Sequence, residues 1–263
     1  MRKPVGLASR LPLSPHRRDA CAINSSQLFK AGRVSAPADG GDAFISIYSG
    51  TRGLIKLVAF DCDGVLFDSR QANIAFYNTI LARFERPRLS SQAEDYVHSH
   101  TVRESLGYLF QGYPRLEEVF DFARNFDYRP FIPMMLEEPH LREFLDFLRP
   151  ACFTALATNR TTTTRAVLHY HGLTDGFDLV ISAQDVSRPK PHPESFERIL
   201  GHFGLKAREA IYIGDSEVDQ EFAANAGVPL VAYRNPRLQA AHHLESFAAA
   251  PALIRRLNRV PHP

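Results

Sequence analysis

Apolar residues follow two rhythms along this chain. At Leu54-Ile55-Lys56-Leu57-Val58-Ala59-Phe60 they run almost unbroken, which predicts a strand buried on both faces. Comparable runs at 153–158, Asp178–Ala183, Ala210–Gly214 and Pro229–Tyr233 predict four more strands. Between them the apolar spacing is helical. It predicts helices at 141–148, about 161–171, Pro193 to about Phe203 and about 217–226, with a final helix after the last strand. Pro193 suits a first helical turn, where its missing N–H does no harm, and Thr161 or Thr162 is placed to cap the helix before it. Strand–helix alternation requires right-handed crossovers and a parallel sheet covered on both sides. The expected class is therefore α/β, a Rossmann-like parallel sheet flanked by helices.

One long stretch breaks the alternation. Gly64 to Ser69 reads as a tight turn and flap, and 71–136 carries helical spacing with no convincing strand. Ala72, Ala75, Phe76, Ile80, Leu81 and Phe84 share one helical face; Leu106, Leu109 and Phe110 mark a second helix; Leu116, Val119, Phe120 and Ala123 mark a third. Arg86-Pro87-Arg88, Gly112-Tyr113-Pro114 and Arg129-Pro130 separate them. The division is a core of 53–70 and 137–263 with a helical insertion between its halves. Residues 1–52 have many Pro, Ser and Gly and no sustained period, and read as a disordered or loosely attached extension. A targeting segment and an over-extended start remain alternatives there. Ala43-Phe44-Ile45-Ser46-Ile47-Tyr48 reads as a short extra strand.

Charge alters the picture only when it is divided. Residues 1–52 hold eight Lys/Arg and three Asp, so the remaining 211 residues carry 23 Lys/Arg against 26 Asp/Glu. The net +2 of the 263-residue chain thus belongs to its leading segment and is no argument for nucleic-acid binding. No apolar stretch has the length of a membrane span. Cys21, Cys62 and Cys152 have neither metal-ligand spacing nor a disulfide framework, which points to a reducing, cytoplasmic setting. Cys62 reads as a small apolar side chain facing the core.

The chemistry begins where the first strand ends, at Asp61-Cys62-Asp63-Gly64. Open α/β sheets bind ligands at the carboxyl ends of their strands, and period-two geometry points both carboxylates the same way. Two close acids need a cation or a shared proton. A magnesium site with one nucleophilic and one proton-transferring aspartate fits, against the plainer reading of a strand-to-turn junction.

Three further segments decide between those readings. LATN at 156–159, RPKPHPESF at 188–196 and IYIGDSEVD at 211–219 follow DCDGVLFDS at 61–69 in that order. The order resembles the haloacid dehalogenase superfamily of phosphohydrolases, over about residues 54 to 250, and within it the phosphoglycolate phosphatase group. The position after Gly64, usually threonine there, is Val65 here. The resemblance implies Asp61 as nucleophile, forming an aspartyl-phosphate, and Asp63 as general acid and base. It implies Mg²⁺ held by Asp61, Asp215 and the backbone carbonyl of Asp63. Thr158 and the Asn159 amide would bind phosphate, Lys190 would contact Asp61 and phosphate, and Gly214 and Asp219 would support the metal loop. The insertion at 71–136 would be a mobile cap, and Arg103 on it would reach the substrate. Taken singly, Thr158 is also a strand-end hydroxyl, Lys190 a solvated loop lysine, Asp219 a helix-start acid favoured by the dipole, and Arg103 a helix-surface arginine. His169, His171, His242 and His243 read as surface or helix-packing residues.

The implied function is a Mg²⁺-dependent phosphatase acting on a small phosphorylated metabolite, as a monomer or homodimer, with no nucleic-acid or membrane partner. A dehalogenase needs only the first aspartate, and an ion pump needs membrane spans. A phosphomutase shares these motifs and remains an alternative, as does a non-catalytic regulatory or scaffold protein on the same fold.

Overall fold

The computed structural model describes residues 55–259; the expected extra strand at 43–48 and the extension at 1–52 lie outside them. Strand β1, Leu57–Phe60, sits near the middle of a six-stranded parallel sheet. All four of its side chains are buried, the sign of a strand covered on both faces. β4 (Phe153–Thr158) flanks it on one side and β6 (Ala210–Gly214) on the other, with Leu57 opposite both Phe153 and Ala210. β5 (Leu179–Ser182) lies beyond β4, while β7 (Leu230–Tyr233) and β8 (His242–Leu244) lie beyond β6. The chain leaves β1 towards β4 and leaves β6 towards β7, so the strand order reverses between β1 and β6. An α/β sheet opens its ligand crevice at such a reversal.

Period-two alternation divides the core in two. Val58, Phe60, Leu156, Ile213 and Val231 face one layer, and Leu57, Ala59, Ala155, Ala157 and Tyr212 face the other. The second layer is closed by Phe196 and Ile199 of α7 (Glu194–Phe203) and by Phe222 of α8 (Glu217–Ala226). The first receives Phe144 of α5 (Leu141–Leu148), Val167 of α6 (Thr164–Tyr170) and Leu253 of α9 (Ala250–Leu257). Phe60 anchors it, with Phe144 and Phe247 at ring distances of 6.0 and 6.3 Å. Burial of such a side chain stabilises by about 2–3 kcal/mol.

The insertion contains four helices: α1 (Arg70–Arg83), α2 (Ser91–Ser99), α3 (Val102–Leu109) and α4 (Leu116–Asn125). Helix α3 starts in a capping box. Glu104 N–H donates to Thr101 Oγ1 at 3.2 Å, and Thr101 N–H donates to Glu104 Oε2 at 2.9 Å. The buried Phe76, Ile80, Leu106, Phe110 and Val119 belong to the same apolar cluster as Val58 and Phe60. Insertion and sheet therefore share one continuous core.

Three local expectations need correction. Helix α6 begins at Thr164 with Thr163 before it and no side-chain cap bond, so neither Thr161 nor Thr162 caps it. Helix α7 begins at Glu194, with Pro193 just outside. The flap and the end of the insertion pair as a small antiparallel ribbon, β2 (Phe67–Asp68) with β3 (Leu136–Glu137). His242 and His243 lie on the short edge strand β8, half-buried and exposed in turn as the surface reading expects, and His243 Nε2 bonds the Leu238 carbonyl at 3.1 Å. No helix among the described residues is long and apolar enough to cross a membrane.

Candidate active site

Asp61 continues β1 by one residue, its N–H donating to the Ile213 carbonyl of β6 at 2.9 Å. That bond places its carboxyl at the reversal of strand order. Oδ1 accepts the Cys62 N–H at 2.7 Å and lies 2.9 Å from Lys190 Nζ. No hydrogen bond among the described residues ends on Oδ2. The Cys62 side chain is buried, and burial keeps its thiol protonated, with a pKa well above the usual value.

Lys190 is buried to 4% exposure at the centre of a closed network. Its Nζ donates to Asp219 Oδ1 at 2.7 Å and to the Tyr212 hydroxyl at 2.9 Å. That hydroxyl lies 2.8 Å from Asp219 Oδ1 and 3.1 Å from the Ala157 carbonyl. Asp219 divides its oxygens between two tasks. Oδ1 serves Lys190 and Tyr212, while Oδ2 accepts the Ser216 hydroxyl at 2.7 Å and the N–H groups of Asp215 and Ser216 at 3.2 Å. The second set forms the capping box of α8. Burial alone would discharge these groups. Against it, Asp219 and Asp61 hold the Lys190 pKa above its ordinary value, and Lys190 holds Asp219 below its own. The Asn159 amide donates to the Lys190 carbonyl at 3.0 Å and fixes the lysine loop to the end of β4.

Two glycines allow the acidic loops to meet. A Cβ on Gly64, whose φ is +77°, would lie 2.1 Å from Asp215 Oδ2. A Cβ on Gly214 would lie 2.5 Å from the Asp219 Cβ. Asp61, Asp215 and Asp219 each present a carboxylate oxygen, all within 4.8 Å of one another. Burial pushes the Asp61 pKa up to about 7 against the pull of Lys190, and burial with Asp219 and Asp61 nearby raises Asp215 well above the carboxylate range. No cationic side chain among the described residues pairs with Asp215. The oxygens of Asp219 are committed to protein donors, so Asp61 and Asp215 are the pair left facing each other. Hard oxygen donors under unrelieved repulsion fit a small divalent cation.

Asp63 belongs to a different neighbourhood. Both its oxygens are taken by Arg160, Nη2 to Oδ1 at 2.5 Å and Nε to Oδ2 at 3.1 Å. Burial raises the Asp63 pKa, but the guanidinium outweighs it and the net shift is downward. Arg160 Nη1 donates to Thr163 Oγ1 at 3.1 Å, and the guanidinium lies 4.7 Å from the Tyr128 ring centre. The Tyr128 hydroxyl donates to Asn73 Oδ1 of α1 at 2.8 Å.

Asp61, Asp63, Thr158, Asn159 and Arg160 line a cavity of about 340 Å³ whose other wall comes from the insertion. That wall includes Phe76, Tyr77, His98, Arg103, Phe120 and Tyr128. Arg103 packs over the Phe120 ring at 4.4 Å. Lys190, Gly214, Asp215 and Asp219 do not line this cavity. Arg160, Tyr212 and Tyr128 were not among the residues singled out from sequence. A signal existed for two of them: Arg160 directly follows Thr158-Asn159, and Tyr212 is the polar residue inside an apolar strand.

Residues 58–233 match the family model for haloacid dehalogenase-like hydrolases. A phosphoglycolate phosphatase of Rhodobacter capsulatus is 33% identical over 218 residues, covering 74% of this chain and 94% of its own. Pyrophosphatase PpaX of Bacillus velezensis is 28% identical over 177 residues, covering 66% of this chain and 80% of its own. Among solved structures, a haloacid dehalogenase superfamily hydrolase of subfamily IA from Geobacter sulfurreducens aligns with a TM-score of 0.63 and 42% identity, over 76% of this chain and 96% of that one. The expected α/β class is borne out, and this chain belongs to the haloacid dehalogenase-like hydrolases.

Proposed function

We propose that this chain is a Mg²⁺-dependent phosphatase that hydrolyses a small phosphomonoester through an aspartyl-phosphate on Asp61. The observation that carries the reading is the asymmetry of the Asp61 carboxyl. Oδ1 is held by Lys190 and the Cys62 N–H, while Oδ2 is left without a donor beside the cavity. Attack by Oδ2 on phosphorus would form the acyl phosphate and release the alcohol, and water would then hydrolyse it. Asp63 would protonate the departing oxygen and take a proton from the attacking water. Thr158 Oγ1 and the Asn159 amide would hold phosphate oxygens, and Lys190 would offset the charge between Asp61 and phosphate. Mg²⁺ held by Asp61, Asp215 and the Asp63 carbonyl would supply charge neutralisation and in-line alignment. Gly214 and Asp219 would keep that loop in place.

On this reading 71–136 is a cap over a core of 53–70 and 137–263, and Arg103 contributes to substrate binding. Relatives named for phosphoglycolate and pyrophosphate support a small phosphorylated substrate. The test is release of inorganic phosphate from a panel of phosphorylated metabolites with Mg²⁺ and with excess chelator. Turnover that depends on metal supports the proposal. Full turnover in chelator removes the metal, and no release from any compound removes the phosphatase.

A further inference from the structure

The Arg160–Asp63 pair poses a problem for the chemistry just proposed, on which this inference rests. Asp63 has to present a carboxyl oxygen to the departing alcohol, yet a bidentate guanidinium occupies both oxygens. Arginine keeps its proton throughout, so it cannot stand aside by neutralising. A carboxyl that carries the proton for the leaving group has lost the charge that held the bidentate guanidinium, so the pair loosens during turnover. The donors thus released are buried, the Arg160 side chain being 6% exposed, and a buried charged donor without an acceptor is costly. Apart from Asp61 and Asp63, the residues lining the cavity include no carboxylate, whereas Arg103, Arg124, His98 and His100 join Arg160 there. Asp61 is already engaged by Lys190. The cavity therefore offers Arg160 no second carboxylate, only the neutral hydroxyls of Thr163 and Tyr128, at 3.1 and 3.4 Å.

We propose that Arg160 is a positioning residue that restrains Asp63 until a second anionic group on the substrate takes its place on the guanidinium. The substrate class is then a phosphomonoester with a carboxylate or second phosphate a short distance from the phosphorus. A neutral ester of the same size leaves Asp63 clamped and reacts slowly. Tyr128 and Thr163 keep the guanidinium at the cavity wall while its partner changes, through the ring contact at 4.7 Å and the Nη1 bond at 3.1 Å. The exchange makes recognition of the distal anion and release of the proton donor one event, so its effect falls on the chemical step as well as on binding.

The test compares matched esters on the wild-type enzyme and on Arg160→Gln and Arg160→Lys. 2-Phosphoglycolate is paired with ethylene glycol monophosphate, and 3-phosphoglycerate with glycerol 3-phosphate; each pair differs in one carboxylate. Loss of a hydrogen bond to a charged group predicts wild-type kcat/KM about 30-fold higher for the anionic member of at least one pair, with part of the difference in kcat. In Arg160→Gln the anionic ester loses that advantage while kcat for the neutral ester rises, and Arg160→Lys recovers part of the preference through KM. Equal wild-type values within both pairs overturn the exchange without needing any variant. An equal fall on both members in Arg160→Gln also overturns it, because it marks a guanidinium that only shapes the site or holds the transferring phosphate. Absence of phosphate release from every ester overturns the phosphatase reading itself, and the exchange with it.

Discussion

The two aspartates that open the site are two residues apart, and each is paired with a buried cation, yet their surroundings differ in kind. Asp61 leans on Lys190, which is enclosed by Asp219, Tyr212 and the ends of β1, β4 and β6. Every member of that network belongs to the sheet, to the loops that follow its strands or to the first turn of α8. Asp63 leans on Arg160, which borders the cavity and is tied through Tyr128 to Asn73 of α1 in the insertion. In one pair only the aspartate reaches the cavity and its cation is enclosed behind it, whereas in the other both partners line the cavity. The contrast shows that ion pairing by itself does not tell a fixed group from an exchangeable one. What tells them apart is whether another partner has room to arrive.

The largest expected effect comes from Asp61, the proposed nucleophile. Asp61→Asn keeps the shape of the side chain but replaces the attacking oxygen's charge with a poor nucleophile, and phosphate release falls by about 10⁴-fold or more. Circular dichroism unchanged from wild type, together with that loss, is the expected result; turnover near wild type removes Asp61 from its role. The comparison itself is tested by breaking each pair from the cation side. Lys190→Met removes the enclosed cation that Asp61 and Asp219 share and costs about 3–5 kcal/mol in urea unfolding. Arg160→Gln leaves Asp63 beside a cavity that admits water and costs about 1–2 kcal/mol, below the range for a fully buried pair. Equal losses from the two substitutions abolish the distinction.

Metal and pH sharpen it on the Asp61 side. The folded Asp61 pKa, about 7, lies above its ordinary value of 3.8. In chelator the folded state therefore binds more protons than the unfolded state between those values, and stability falls as pH rises through that window. Bound Mg²⁺ favours the ionised pair, so the melting-temperature gain on adding Mg²⁺ is expected to be larger at pH 8 than at pH 5. A gain independent of pH separates the carboxylates from the metal. The smallest effect is expected from Tyr128→Phe. It removes the hydroxyl that donates to Asn73 at 2.8 Å and accepts from Arg160 Nη2 at 3.4 Å while keeping the ring against Arg160, for about 1 kcal/mol in the same unfolding assay.

The same division governs what could be read from the chain. β1, β4, β6 and β7 are visible because their runs are apolar on both faces, the acids and the hydroxyl because they follow such runs, and the lysine because it stands in the proline-rich segment Arg188-Pro189-Lys190-Pro191. Helix α2 is hidden because Ser91-Gln92-Ala93-Glu94-Asp95-Tyr96-Val97 buries little besides Ala93 and Val97 and has no stripe to detect. β2, β3 and β8 have two or three residues each, too few to show a period. Arg160 escapes for another reason. Its neighbours in sequence identify the loop, but its partners, Asp63 and Tyr128, are 97 and 32 residues away. Only the packing of the insertion on the sheet reveals where a guanidinium in that loop will lie.

The divided carboxylate of Asp219 has a consequence for when the enzyme comes into being. Residue 61 leaves the ribosome early, but the lysine that holds it is itself held by an acid 29 positions further on. A nascent chain that ends before residue 219 lacks the acid that holds Lys190 beside Asp61, so the charge network behind the proposed nucleophile closes only once α8 has begun to form.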